Sequence, residues 1–251
     1  MTRPSGQRGT VLIRPVAELR AFLRAALFEP VGEPPSEAAR TLTRRRWIAA
    51  ATLAAGIVTM LWTFRIPPGD PVFYPAMFLL ALVWTAGAVL GGPLRLGRAH
   101  TRSGTRQSRA VVQSLVLGLL LVGVFFAGAV VAGGIPVLRE PVDRLIDHAR
   151  LGWLPLVVLL TALNGIGEEL YFRGSLFSAM PRPHAVALTT LVYTLSVVPT
   201  GVPLLVLAAA VLGVVAALQR RVTGGVLGPI VTHVTWSLGM LLLLPYALAL
   251  W

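Results

Sequence analysis

The chain has 251 residues, 55% of them hydrophobic and 13% charged. That is about half the charge of a soluble globular domain, and the charges cluster between long apolar runs, which excludes an ordinary soluble enzyme. The formal net charge is +12 and all 22 basic residues are arginine, but they occupy short segments between apolar runs, where membrane topology accounts for them and no nucleic-acid partner is expected. With no cysteine, disulfides, thiolate zinc sites and a cysteine nucleophile are excluded as well.

Residues 1–46 read as a basic cytosolic arm. They hold nine arginines and no long apolar core, so no cleavable signal peptide is expected. Within the arm, Leu12, Val16, Leu19, Leu23 and Leu27 recur at near-helical spacing over residues 11–28, which predicts a short amphipathic helix. A place on the membrane surface and a solvated tail are both open to it. Glu33-Pro34-Pro35-Ser36 breaks the pattern, with Ser36 placed to cap a following turn.

Residues 47–250 read as one transmembrane domain. A bilayer core about 30 Å thick needs roughly 20 apolar residues per helix. Stretches meeting that pattern lie at 47–64, 72–92, 110–133, 151–180, 184–198, 203–218 and 225–250. The fold class is therefore all-α, a polytopic transmembrane helical bundle of about seven spans, with six to eight open. Pro67-Pro68-Gly69-Asp70-Pro71, Gly133-Gly134-Ile135-Pro136 and Pro199-Thr200-Gly201-Val202-Pro203 mark turns. Gly87 and Gly91, four residues apart, offer a helix-packing face without fixing an oligomeric state.

Arginine placement sets the orientation. Arg44-Arg45-Arg46, the 93–109 loop with Arg95, Arg98, Arg102, Arg106 and Arg109, the turn at Arg182, and Arg220-Arg221 all fall on one side. The other side carries Arg65, Arg139, Arg144 and Arg150, offset by Asp70, Glu140, Asp143 and Asp147. The expectation is a multi-pass protein of the cell membrane, N-terminus cytosolic and C-terminus outside.

The fourth span contains Asn164-Gly165-Ile166-Gly167-Glu168-Glu169-Leu170-Tyr171-Phe172-Arg173-Gly174-Ser175. A charged residue at the centre of a spanning helix costs roughly 2.5–3.5 kcal/mol on insertion scales, so it is a functional candidate by default. Glu169 and Arg173 are four residues apart and share a helix face, where they can neutralise each other. Glu168 points about 100° away, shares its face with Asn164, Phe172 and Ser175, and has no ionic partner on its own helix. Glu169 with Arg173 is expected to hold structure. Glu168 is the group suited to act as general base or acid. A buried ion-pair cluster that only fixes helix packing is the bland alternative.

His233 lies in the last span, in Gly228-Pro229-Ile230-Val231-Thr232-His233, on the order of 10 Å from the cytosolic end of its helix. Glu168 sits in the same inner half of its own span. The two are expected to meet in one water-filled cavity.

The string Glu168-Glu169-Leu170-Tyr171-Phe172-Arg173-Gly174, followed later by His233, resembles the CPBP intramembrane protease family, which includes the CAAX prenyl endopeptidases and the Abi bacteriocin-immunity proteins. That family's first motif is Glu-Glu-x-x-x-Arg, its middle one Phe-x-x-x-His, and its last His-x-x-x-Asn or Asp. The resemblance covers about residues 150–250. It implies that Glu168 activates water, that Glu169 and Arg173 accompany it, and that His233 is the last-motif histidine. The middle motif departs, with Tyr193 for Phe and Val197 for histidine, and Ser237 replaces the last Asn or Asp. The family's histidines and glutamate are usually described as ligands of a metal or of water. A zinc or other divalent ion would here keep Glu168 and His233, with Ser237, Asn164 or, as a substitute, His184 as further donors. Catalytic zinc usually has three protein ligands plus water, and Glu168 cannot easily be both ligand and base.

Three readings follow. The first is a CPBP-type endopeptidase cutting a peptide bond near the cytosolic face, with a metal or with Glu168 alone activating water and His233 stabilising the oxyanion. The second is an inactive family member serving as a membrane scaffold or chaperone, favoured by Val197 and Ser237. The third is a proton-coupled transporter using Glu168 and His233 as a relay, which lacks the expected inverted repeat. The partners are membrane lipid and a peptide or protein substrate that the sequence does not name.

Overall fold

Apolar runs too long and too evenly greasy for a soluble core become long helices, because in hydrocarbon only a helix satisfies every backbone polar group within its own segment. The computed structural model describes residues 14–32, 39–100 and 107–250. Leu12, Glu33, Pro34, Pro35, Ser36, Arg102 and Arg106, named above, lie outside the described residues. The helices are α1 (Arg14–Leu27), α2 (Ala39–Thr63), α3 (Phe73–Leu90), α4 (Val111–Ala132), α5 (Pro136–Arg150) and α6 (Leu154–Glu169). Beyond a π-helical stretch at Leu170–Leu176 come α7 (Phe177–Ala179), α8 (Ala185–Val197), α9 (Pro203–Thr223) and α10 (Leu227–Leu248). A two-residue antiparallel pair, β1 (Ala99–His100) with β2 (Gln107–Ser108), pinches the loop before α4.

Among the described residues, six helices are long and apolar enough to cross a membrane: α2, α3, α4, α6 continuing through α7, α9 and α10. The chain is a multi-pass membrane protein with an all-α bundle. The stretch expected at 184–198 is the exception. It forms α8, 13 residues long, or about 20 Å, between 3₁₀ turns at Arg182–His184 and Val198–Thr200. Pro199 stops it, since proline supplies no amide hydrogen to the helix ladder, and Pro183 stands just before its first turn, where helices commonly start. α8 still joins the two ends of the bundle, packed along α9. α2 also begins earlier than 47, at Ala39, so Arg44, Arg45 and Arg46 lie inside a continuous helix.

One end of the bundle gathers the arginines. Arg46 Nε donates to the Ala179 carbonyl at 3.0 Å, tying the start of α2 to the end of α7. Arg44 donates to the Leu90 carbonyl at 3.4 Å, at the end of α3. The 93–98 loop is stitched to the α9–α10 turn by Arg98 N to Thr223 O at 2.9 Å and Val226 N to Arg95 O at 2.8 Å. α1 packs at this end, with Ala26 and Leu27 against Leu117 of α4 and Val215 and Leu218 of α9. Val16 and Leu19 of the same apolar stripe stay exposed.

The opposite end is closed by the amphipathic α5. Its Val142 and Ile146 pack against Val202 and Leu248, and its His148 stacks on Phe73 at 3.9 Å between ring centroids. Burial pushes the His148 imidazole below its ordinary range, against the pull of Asp147. The outer faces of α2, α3 and α4 expose Val58, Leu79, Val89, Val112 and Val124, as a lipid-facing surface requires.

Gly87 and Gly91 are consumed inside the bundle. A Cβ on Gly87 would collide with Thr52 of α2, and one on Gly91 with Ser175 of the π-helical stretch. A second pair of glycines sets the arginine-rich end. Gly97 has φ +80°, and a Cβ on Gly225 would run into the backbone of Leu96 and Gly97. Gly225→Ala is therefore expected to cost about 1–3 kcal/mol, read as a lower thermal midpoint in detergent. Gly123→Ala, where a Cβ meets nothing within 4 Å, leaves the midpoint unchanged or slightly raised.

Candidate active site

The acidic pair sits where α6 changes hand-hold. α6 ends at Glu169, and the backbone then runs as a π-helix over Leu170–Leu176 before α7 resumes the ordinary ladder. π-helical turns are rare and frequently mark functional sites. Packing pins this one. Tyr171 donates its hydroxyl to the Ala49 carbonyl at 2.6 Å, and Trp84 packs against Tyr171 and Phe172 at 4.9 and 5.2 Å between centroids. Gly167 lets α6 approach α3 closely, since a Cβ there would lie 3.0 Å from the Ala81 carbonyl oxygen.

Glu169 and Arg173 form the ion pair that their spacing predicts. Arg173 Nη1 donates to Glu169 Oε1 at 3.0 Å, with both side chains fully buried. The same oxygen lies 2.7 Å from His233 Nδ1. Opposite a carboxylate, Nδ1 is the protonated ring nitrogen, which leaves Nε2 as the atom available for chemistry. Arg173 is held further by its Nη2 donating to the Gly213 carbonyl at 3.2 Å. Its guanidinium lies over the Tyr193 ring at 4.7 Å. Arg220, also buried, donates from Nε to the Arg173 carbonyl at 2.7 Å.

Glu168 stands apart from this cluster. It is half-buried, and its Oε2 accepts a hydrogen bond from the Tyr193 hydroxyl at 2.7 Å. Among the described residues, Oε1 accepts none and no cation pairs with it. Asn164, one turn earlier, spends its amide on the Met77 and Leu160 carbonyls, both at 2.9 Å, and leaves Oδ1 buried without a partner.

The structure thus brings Glu168, Glu169, Arg173 and His233 to one place, with the Glu169–Arg173 pair joined by His233. His233 bonds Glu169, not Glu168. The imidazole lies beside Gly165 of α6, where a Cβ would be 3.5 Å from its Cδ2. Ser237 donates back to the Val234 carbonyl of its own helix at 3.3 Å, and His184 is exposed in the turn before α8. Val197 packs into the same apolar cluster as Phe172, Tyr193 and Ala209. No group of three His, Asp or Glu side chains among the described residues is placed to hold a metal ion. With Val197 apolar, Ser237 turned back on its helix and His233 Nδ1 spent on Glu169, the donor set does not make a three-ligand zinc site.

Two contributors were not read from the sequence as parts of the site. Arg220 looks like one of two topogenic arginines, and nothing in the sequence separates it from the exposed Arg221. Tyr193 carried a signal, an added hydroxyl at a position where the family has Phe.

Residues 150–239 match the family model described as type II CAAX prenyl endopeptidase, Rce1-like. The match runs from the last residue of α5 to Gly239 in α10 and includes every side chain of the site. No curated protein and no solved structure matches the chain.

Proposed function

We propose, from the match of residues 150–239 to the type II CAAX prenyl endopeptidase, Rce1-like, family model and from the resemblance of the Glu168–Arg173 string to the CPBP intramembrane proteases, that the chain hydrolyses a peptide bond near the arginine-rich end of its bundle. That end faces the cytosol of a cell-membrane protein, by the arginine bias. The observation that carries the reading is Glu168, a half-buried carboxylate on a spanning helix with one oxygen held by Tyr193 and the other uncommitted. Such a group is expensive in a membrane, and among the described residues no direct ion pair holds it.

Glu168 Oε1 takes a proton from water as the water oxygen bonds to the scissile carbonyl carbon. The carbonyl electron pair moves onto oxygen, and His233, in its imidazolium form with Nδ1–H held by Glu169, donates Nε2–H to that charge. On collapse the carbon–nitrogen bond breaks, and the leaving amine takes the proton from Glu168. The Glu169–Arg173 pair keeps α6, the π-helical stretch and α10 in register. No step passes through a metal.

The test uses the full chain in liposomes with a farnesylated peptide ending in a CAAX sequence. Cleavage is expected, and it continues in 1,10-phenanthroline. Activity abolished by the chelator and restored by zinc contradicts the glutamate-only mechanism. The packed, apolar Val197 favours a second reading, an inactive membrane scaffold. Under that reading wild type and Glu168→Gln are equally inert on every reporter.

A further inference from the structure

A lone carboxylate is a poor base until it is aimed. Glutamate has three side-chain torsions, and fixing a flexible side chain costs on the order of 1 kcal/mol or more. Among the described residues Glu168 has no ion pair to fix it, and neither of its helical neighbours at four residues' distance, Asn164 and Phe172, bonds to it. The hydrogen bond it accepts among the described residues comes from Tyr193 Oη, at 2.7 Å. That is a short, well-formed hydroxyl bond.

Tyr193 is itself immobilised from several sides. The Arg173 guanidinium lies over its ring at 4.7 Å, and Phe172 meets the ring edge-on with centroids 4.7 Å apart. Its backbone carbonyl accepts the Ser196 hydroxyl at 2.7 Å. α9 crowds the ring through Gly213, where a Cβ would lie 3.4 Å from Tyr193 Cδ1. A donor fixed this firmly selects one conformation of the acceptor it meets. It also links the two acidic residues, because the arginine that neutralises Glu169 is the one that orients the tyrosine bonded to Glu168.

The neighbouring position explains why a hydroxyl matters here. Val197 is one helical turn from Tyr193 on the same face of α8 and is packed in the apolar cluster, so that face offers no imidazole. We infer that Tyr193 is a positioning residue for the hydrolysis: its hydroxyl clamps Glu168 Oε2, so that Oε1 alone is presented to water. This rests on the proposed endopeptidase reading and adds a specific residue to it.

Tyr193→Phe deletes a single oxygen and keeps the ring, its contact with Arg173 and its edge against Phe172. In proteoliposomes with the farnesylated reporter, kcat falls about 10–100-fold, as for a lost bond to a charged group. KM stays within about twofold, because substrate binding is untouched. Wild-type cleavage with kcat unaltered in Tyr193→Phe overturns the inference and leaves Glu168 as base. Absent wild-type cleavage overturns the endopeptidase reading instead. Infrared spectroscopy then decides the clamp on its own: the tyrosine C–O band lost in Tyr193→Phe shifts in Glu168→Gln, whereas a band indifferent to that substitution overturns the contact.

Discussion

Glu168→Gln removes hydrolysis of the farnesylated reporter, by about 10²–10⁴-fold, the usual contribution of a general base. It does so while protein abundance and the thermal midpoint in detergent stay at wild-type values. The amide has the size of the carboxylate and still accepts the Tyr193 hydroxyl bond seen at 2.7 Å. It cannot take a proton from water. Glu168 has no ion pair among the described residues, so removing its charge strands no partner. Cleavage that survives the substitution would remove Glu168 from the mechanism, and a collapse in abundance would make it a structural residue.

Arg173→Met produces the opposite pattern, a loss of about 3–5 kcal/mol of stability, with activity falling because the fold fails. Glu169 is fully buried, and its Oε1 depends on Arg173 Nη1 at 3.0 Å. Its Oε2 already lacks a partner, so removing the guanidinium leaves a charge with only His233 beside it. Arg173 also holds the Gly213 carbonyl and the Tyr193 ring, which methionine would only fill by volume. The double variant Glu169→Gln/Arg173→Met regains part of the loss, since no charge then remains stranded. Thermal unfolding of the four proteins gives the coupling directly. A value of roughly 1–3 kcal/mol is expected for residues sharing one buried network, and strictly additive losses contradict it.

Much of the architecture is legible in the sequence because the membrane simplifies the code. Apolar runs between arginine clusters become helices, and the clusters gather at one end. The exceptions have local causes. The stretch at 184–198 has the composition of a span, but Pro199 stops it at the 13 residues of α8. The amphipathic stripe of α1 is divided, with Leu23 and Leu27 packed on α4 and α9 while Val16 and Leu19 remain exposed. Spacing alone cannot say which part of a stripe finds a partner.

Within the site, Glu169–Arg173 follows from a separation of four residues, and that rule tolerates the π-helical turn. The turn itself leaves no compositional mark, since Leu170–Leu176 would also serve in an ordinary helix. The partner of His233 depends on how α10 rotates against α6. The tight approach of α4 to α10 at Gly118, where a Cβ would press on Thr235 and the Thr232 carbonyl, is one of the contacts that seat α10. Such long-range settings belong to the packed bundle. Tyr193 and Arg220 emerge only there, one through its hydroxyl and the other through its reach to the Arg173 carbonyl.

The central claim is that Glu168 drives the addition of water to a peptide bond. Mass spectrometry of the reporter peptide, incubated in oxygen-18 water with liposomes carrying wild type or Glu168→Gln, tests it most directly. One labelled oxygen is expected in the new carboxylate of the prenylated fragment with wild type, and uncut peptide with the variant. Uncut peptide with both proteins, or equal labelled product from both, contradicts it.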